Sequence, residues 1–130
     1  LFRSLIAGDM LSTVSTIVID PPEGHMRTYM DSLDRLAGVP MTTLYPAHGP
    51  AHPNGQALVR HFIEHRRDRQ SRVIEALSCG PATVEQLLPK VYADVDERMY
   101  PFAARSLLAG LQWLEETGEA SERDGTWTAA

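Results

Sequence analysis

The chain has 130 residues, 43% of them apolar and 22% charged, enough apolar material for a core of one ordinary domain or two small ones, which excludes a disordered chain. Twelve basic residues stand against seventeen acidic ones, and a net charge of −5 supplies no general attraction to nucleic acid or to an anionic membrane. Cys79 has no partner for an internal disulfide, and no apolar run approaches the ~18 residues of a spanning helix, so a soluble cytoplasmic protein is expected.

The sequence opens with Leu1-Phe2-Arg3-Ser4-Leu5-Ile6-Ala7, already inside an apolar segment and without an initiating methionine, which reads as the start of a fragment. Leu5-Ile6-Ala7 predicts a short buried strand ending at Gly8-Asp9, and Leu44-Tyr45 predicts a second ending at Pro46. Thr13 to Ile19 is rich in β-branched residues and suits either a strand or an ordered loop. Met26, Met30, Leu33, Leu36 and Ala37 recur at steps of three and four, which places them on one face of a helix entered after Pro21-Pro22-Glu23-Gly24 and closed by Gly38 and Pro40.

A long helix is expected from about 55 to 78. Its apolar residues form two clusters, Leu58, Val59, Phe62 and Ile63 at one end and Val73, Ile74 and Leu77 at the other, with only polar residues from Glu64 to Arg72. Such a helix belongs to two cores and crosses between them on a solvated face, so the expected division is 1–65 and 66–130. Charge divides the chain in the same way: the acids and arginines up to Cys79 balance, and the whole excess of −5 lies beyond it.

The second part reads helix, helix, hairpin. Thr83, with Glu85 and Gln86 in the first turn, caps a helix carrying Val84, Leu87, Leu88 and Val91; Pro101 opens another carrying Ala104, Leu107, Leu108, Leu111 and Leu114. An Asp124-Gly125 turn then joins Glu119 to Glu122 with Thr126-Trp127-Thr128. Added to the end of the long helix, this is the order of a winged helix.

Asp9 and His48 are the pair that could carry chemistry. Each is placed just past a predicted strand, in Ala-Gly-Asp and Pro-Ala-His-Gly-Pro, where small residues let the backbone turn and present a polar side chain to a cleft. A carboxylate and an imidazole so placed suit a metal ion, although from spacing alone an Asp after Gly is most often a turn former and a His between Ala and Gly is usually a loop histidine.

Ala7-Gly8-Asp9, then Tyr29-Met30-Asp31-Ser32-Leu33, then Leu44-Tyr45-Pro46-Ala47-His48-Gly49-Pro50, in that order and followed by the winged-helix pattern, closely resembles the C-terminal half of metallo-β-lactamase-fold hydrolases. Within them the chain looks most like the branch holding glyoxalase II-like proteins and the β-lactamase-like protein 2 group. The resemblance implies an α+β architecture, the C-terminal half of an αββα sandwich followed by a small winged-helix domain. It implies further that Asp9 bridges two zinc ions and is the catalytic carboxylate here, and that His48 completes the second ion's ligand set. The family's His-x-His-x-Asp-His signature and its further metal histidine lie upstream of the Gly-Asp motif. His25, His52, His61 and His65 match none of those positions, so this chain alone is expected to bind zinc weakly and to be inactive.

In the intact parent, two zinc ions would lower the pKa of a bridging water from ~16 toward neutrality and hold the hydroxide against a thioester, an ester or lactam, or a phosphodiester. His61 and His65 stand four apart on the long helix without an evident third ligand, amid Arg60, Arg66, Arg67, Arg69 and Arg72. The plain reading is a solvated face; the sharper one is that His65 and Arg66 meet an anionic substrate. DNA binding by the winged helix is not expected, because the helix that would enter the groove offers only Arg105 as a base. The alternative to an enzyme is a winged-helix protein-interaction or nucleic-acid module on a non-catalytic scaffold. A half-sandwich would also expose Phe2, Leu5 and Ile6, so self-association, a retained N-terminal segment or disorder of residues 1–20 is expected.

Overall fold

The computed structural model describes residues 3–130. Strand β1 (Ser4–Ser12) is followed by helix α1 (Met26–Ala37), strand β2 (Thr43–His48) and the long helix α2 (Gly55–Ser78). Helix α3 (Val84–Val91), a 3₁₀ turn (Glu97–Met99), helix α4 (Tyr100–Glu116) and strands β3 (Ala120–Arg123) and β4 (Thr126–Ala129) complete the chain. The segment from Thr13 to Ile19, open between strand and loop on sequence, is an irregular loop.

The chain forms two compact units. The first comprises the part up to Ile17 with Thr28–Arg66, the second Val18–Arg27 with Arg67–Ala130, so the later boundary lies inside α2 and the second unit also takes a short stretch from the N-terminal half.

In the first unit β1 and β2 pair in parallel, Ser4 opposite Thr43 and Leu5 opposite Leu44, as their separation by a helix requires. Leu11, Leu33, Leu44 and Val59 are completely buried around this β–α–β core. β1 does not stop at Gly8-Asp9. Gly8 takes φ +55°, a conformation open to a residue without Cβ; the register shifts on either side of it, and pairing resumes with Ser12 opposite His48. Asp9 therefore stands inside β1 and His48 is the last residue of β2, where the sequence pattern had put both beyond the strand ends. Ile6, expected to be uncovered, is 84% exposed and Leu5 half-buried; Phe2 lies outside the described residues.

The second unit has the winged-helix order. Thr83 Oγ1 accepts the Gln86 N–H at 3.4 Å while Gln86 Oε1 accepts the Thr83 N–H at 2.9 Å, a reciprocal cap that starts α3. Leu87, Val91, Leu107 and Leu111 pack with Trp127 and the end of α2, Val73 and Leu77, into one core. The hairpin turns at Asp124-Gly125, and Trp127 exchanges backbone hydrogen bonds with Ala82. Segment 18–27 is tied into this unit by Ser106 Oγ, which accepts the Ile19 N–H at 3.1 Å, by Arg105 to Asp20 at 2.7 Å, and by His25 to Glu116 at 2.6 Å. No helix among the described residues is long and apolar enough to cross a membrane.

Candidate functional site

β1 and β2 bring the two sequence-predicted ligands together. Asp9 Oδ1 lies 3.4 Å from His48 Nε2, with the aspartate side chain 84% and the imidazole 69% exposed. The backbone beneath them is pinned: the His48 carbonyl accepts the Thr13 N–H at 3.3 Å and the Ser12 hydroxyl at 3.4 Å. Ser12, itself buried, also accepts the N–H groups of Val14 and Ser15 at 3.2 and 3.1 Å, which folds the loop after β1 back on its strand. Gly49, at φ +96°, lets the turn after His48 approach that loop; a Cβ there would collide with the Thr13 hydroxyl and come within 2.9 Å of Val14 Cγ1.

The spacing of the donor pair suits two ligands of one tetrahedral metal ion. A tetrahedral ion with bonds of about 2.0–2.1 Å holds two of its ligands about 3.4 Å apart, which is the separation of Asp9 Oδ1 and His48 Nε2. They are two donors and no more: among the described residues no group of three His, Cys, Asp or Glu side chains could hold a metal ion. Of the other histidines, His25 pairs with Glu116, His52 accepts the Asn54 N–H on Nδ1 at 3.1 Å, and His61 meets the Phe62 ring edge-on at 6.2 Å.

Arg66 is not presented to a ligand. It is only 7% exposed, its guanidinium donates to the Ile17 carbonyl and lies 5.4 Å from the centre of the Tyr29 ring. Arg69, equally buried, donates to the Val91 carbonyl at 2.5 Å, pairs with Asp94 at 2.7 Å and lies 4.4 Å from the Tyr92 ring centre. The polar middle of α2 is therefore solvated only in part: Glu64, Arg67, Asp68 and Ser71 are exposed, while Arg66 and Arg69 are buried. A long arginine stem covers an aromatic face and delivers its charge to carbonyls and carboxylates, which residue polarity alone hides. Asp94 is the partner the sequence reading missed: its hydrogen bonds from Arg69 bring its pKa down to about 2. Burial pushes the Tyr29 hydroxyl up, with Arg66 opposing, and that hydroxyl donates to the Met10 carbonyl at 2.9 Å.

The first unit also holds a cleft of about 480 Å³, lined by neither Asp9 nor His48. The loop after β1 forms one wall through Ser12, Thr13, Ser15 and Thr16; His52 and the α2 residues Leu58, His61, Phe62 and His65 form the other. The run of Ser and Thr after the Gly-Asp motif was its only trace in the sequence.

Comparison with known proteins agrees with this architecture. Residues 83–127 match the family of β-lactamase associated winged helix domains. The chain is 31% identical over 93 residues to the β-lactamase-like protein 2 homolog of Caenorhabditis elegans, covering 71% of this chain and 30% of that protein. It is 24% identical over 119 residues to the Drosophila melanogaster homolog, covering 89% and 39%. Among solved structures, a metallo-β-lactamase family protein from Thermus thermophilus superposes with a TM-score of 0.80 at 20% identity, covering 97% of this chain and 42% of that one. A β-lactamase domain protein from Burkholderia ambifaria gives 0.81 at 22% identity, over 98% and 42%. The chain thus spans well under half the length of the proteins it matches.

Proposed function

We propose that this chain, which has the fold of the C-terminal part of metallo-β-lactamase proteins with their associated winged helix, serves as the C-terminal portion of a cytoplasmic dinuclear zinc hydrolase. The observation that carries the reading is the 3.4 Å approach of Asp9 Oδ1 to His48 Nε2 on neighbouring strands. In this reading Asp9 bridges two zinc ions, His48 completes the second ion's ligand set, and donors upstream of residue 1 in the whole protein supply the rest. The exposed Ile6 and Tyr45 support it, because a parallel sheet is normally covered on both faces and the remainder of a sandwich would cover this one.

When bound, the zinc pair supplies Lewis acidity and a water acidic enough to ionise near neutral pH. This chain's own contribution is orientation. The Ser12 and Thr13 contacts hold the His48 backbone, and the β1–β2 ladder, paired at Gly8–Pro46 and Ser12–His48 on either side of Asp9, brings the carboxylate to 3.4 Å from the imidazole. A thioester, an ester or lactam, or a phosphodiester all meet the chemistry of such a centre.

The test uses the whole protein with metal content measured beside turnover. Asp9→Ala should lower activity by orders of magnitude and release metal; unchanged activity overturns the assignment. Sequence upstream of residue 1 without a histidine-rich ligand motif would favour a winged-helix interaction module on a non-catalytic scaffold.

A further inference from the structure

We infer that the cleft between the loop after β1 and the first half of α2 is a binding site for an organic phosphate, separate from the Asp9–His48 pair and independent of any metal. The walls carry the argument. Thr16, His52 and His61 present hydroxyl and imidazole groups, and among the described residues no carboxylate lines the cleft. His52 Nδ1 already accepts the Asn54 N–H, so the neutral ring carries its proton on Nε2, which is a donor. The same ring is fixed by its backbone, which exchanges hydrogen bonds with Leu44 at 2.8 and 3.0 Å.

The opposite wall is regular. Leu58, His61 and Phe62 fall on one face of α2 at steps of three and four, so apolar and imidazole surface alternate along it. The loop is held open rather than collapsed onto this face: Ser12 takes two of its own loop's N–H groups, and Thr13 Oγ1 donates to the Pro50 carbonyl at 2.8 Å.

A cation finds nothing here to neutralise it, and among the described residues no three-donor metal group exists. A neutral apolar ligand would leave the Thr16 hydroxyl and the His52 N–H without partners, the Ser12, Thr13 and Ser15 hydroxyls being engaged within the loop and turn. A tetrahedral oxyanion accepts from several such donors at once, and an organic body attached to it lies against Leu58 and Phe62. The volume, about 480 Å³, suits a ligand of that size. With no Lys or Arg among the described residues that line the site, hydroxyl and imidazole donors alone hold the bare anion, which binds weakly.

The test is a titration of the metal-free 130-residue chain, held in chelator, with inorganic phosphate and then with phenyl phosphate, reading histidine ring resonances by ¹⁵N-correlated NMR at constant ionic strength. Saturable shifts are expected at His52 and His61 and not at His25, which pairs with Glu116 outside this cleft. Phenyl phosphate should bind about tenfold tighter than phosphate, and Thr16→Val or His61→Ala, both at exposed positions, should weaken phenyl phosphate about tenfold. Linear shifts matched by sodium chloride, equal shifts at His25, or unchanged affinity in both variants would overturn the site. Equal affinity for the two phosphates would overturn the role given to Leu58 and Phe62. Because no metal is present, none of these results bears on the zinc reading.

Discussion

Asp9 Oδ1 and His48 Nε2 face each other at 3.4 Å because β1 continues past the kink at Gly8 far enough to pair Ser12 with His48. The backbone ladder thus sets the two side chains opposite one another.

Two ligands hold zinc weakly, since catalytic sites normally use three protein donors. The dialysed 130-residue chain should retain far less than one zinc per molecule by elemental analysis, and His48→Ala should remove what remains. A content near two per chain would contradict the ligand count.

Gly49→Ala should disturb the pair without touching it. A Cβ at φ +96° is strained and presses on Thr13 and Val14, whose loop holds the His48 carbonyl. We expect a loss of about 1–3 kcal/mol in unfolding free energy and, in the whole protein, weaker metal retention. Calorimetry and metal analysis check the two parts.

Arg66→Ala should destabilise the chain where His61→Ala does not. Arg66 is buried against Tyr29 and bonded to the Ile17 carbonyl, whereas His61 is exposed and meets the Phe62 ring edge-on. A loss of about 1–3 kcal/mol for Arg66→Ala, measured by urea unfolding, follows from leaving that carbonyl without its charged donor.

Asp94 should give the second unit an acid-sensitive component. Its folded pKa, about 2, lies below the ordinary carboxylate value because Arg69 donates to the ionised form. A depressed folded pKa means stability fully present above the unfolded value near 4 and lost as pH falls toward 2. Asp94→Asn should flatten the stability profile between about pH 4 and 2. At neutral pH it should cost about 1 kcal/mol, a modest loss because the carboxylate is half exposed.

The winged helix should not bind duplex DNA at physiological salt. Residues 80–130 carry the whole net charge of −5, and Arg105 is already paired with Asp20. Fluorescence anisotropy with a labelled duplex should show no salt-dependent binding; a steep salt slope would overturn this.

Periodicity made the helices legible. The 3–4 spacing of Met26 to Ala37, the Thr83 cap and the Asp124-Gly125 turn each give local instructions that the tertiary structure does not override. The extension of β1 through Gly8 was hidden, because a glycine followed by aspartate reads as a stop and only pairing with β2 carries the strand onward. The site was half legible: motif order marked Asp9 and His48, but nothing local says that their side chains meet. Arg66 and Arg69 were misread for a related reason, since a charged residue on a helix looks solvated until Tyr29 and Tyr92 arrive from elsewhere in the chain to cover its stem.

The assignment of Val18–Arg27 to the second unit bears on how this architecture can be recombined. A winged helix excised at residue 67 would leave the Ser106 hydroxyl without the Ile19 N–H, Arg105 without Asp20 and Glu116 without His25. The transplantable module is discontinuous in sequence: a graft onto another scaffold must carry the 18–27 strap with it, and a chimera joined only through α2 would inherit a helix face with three bare attachment points.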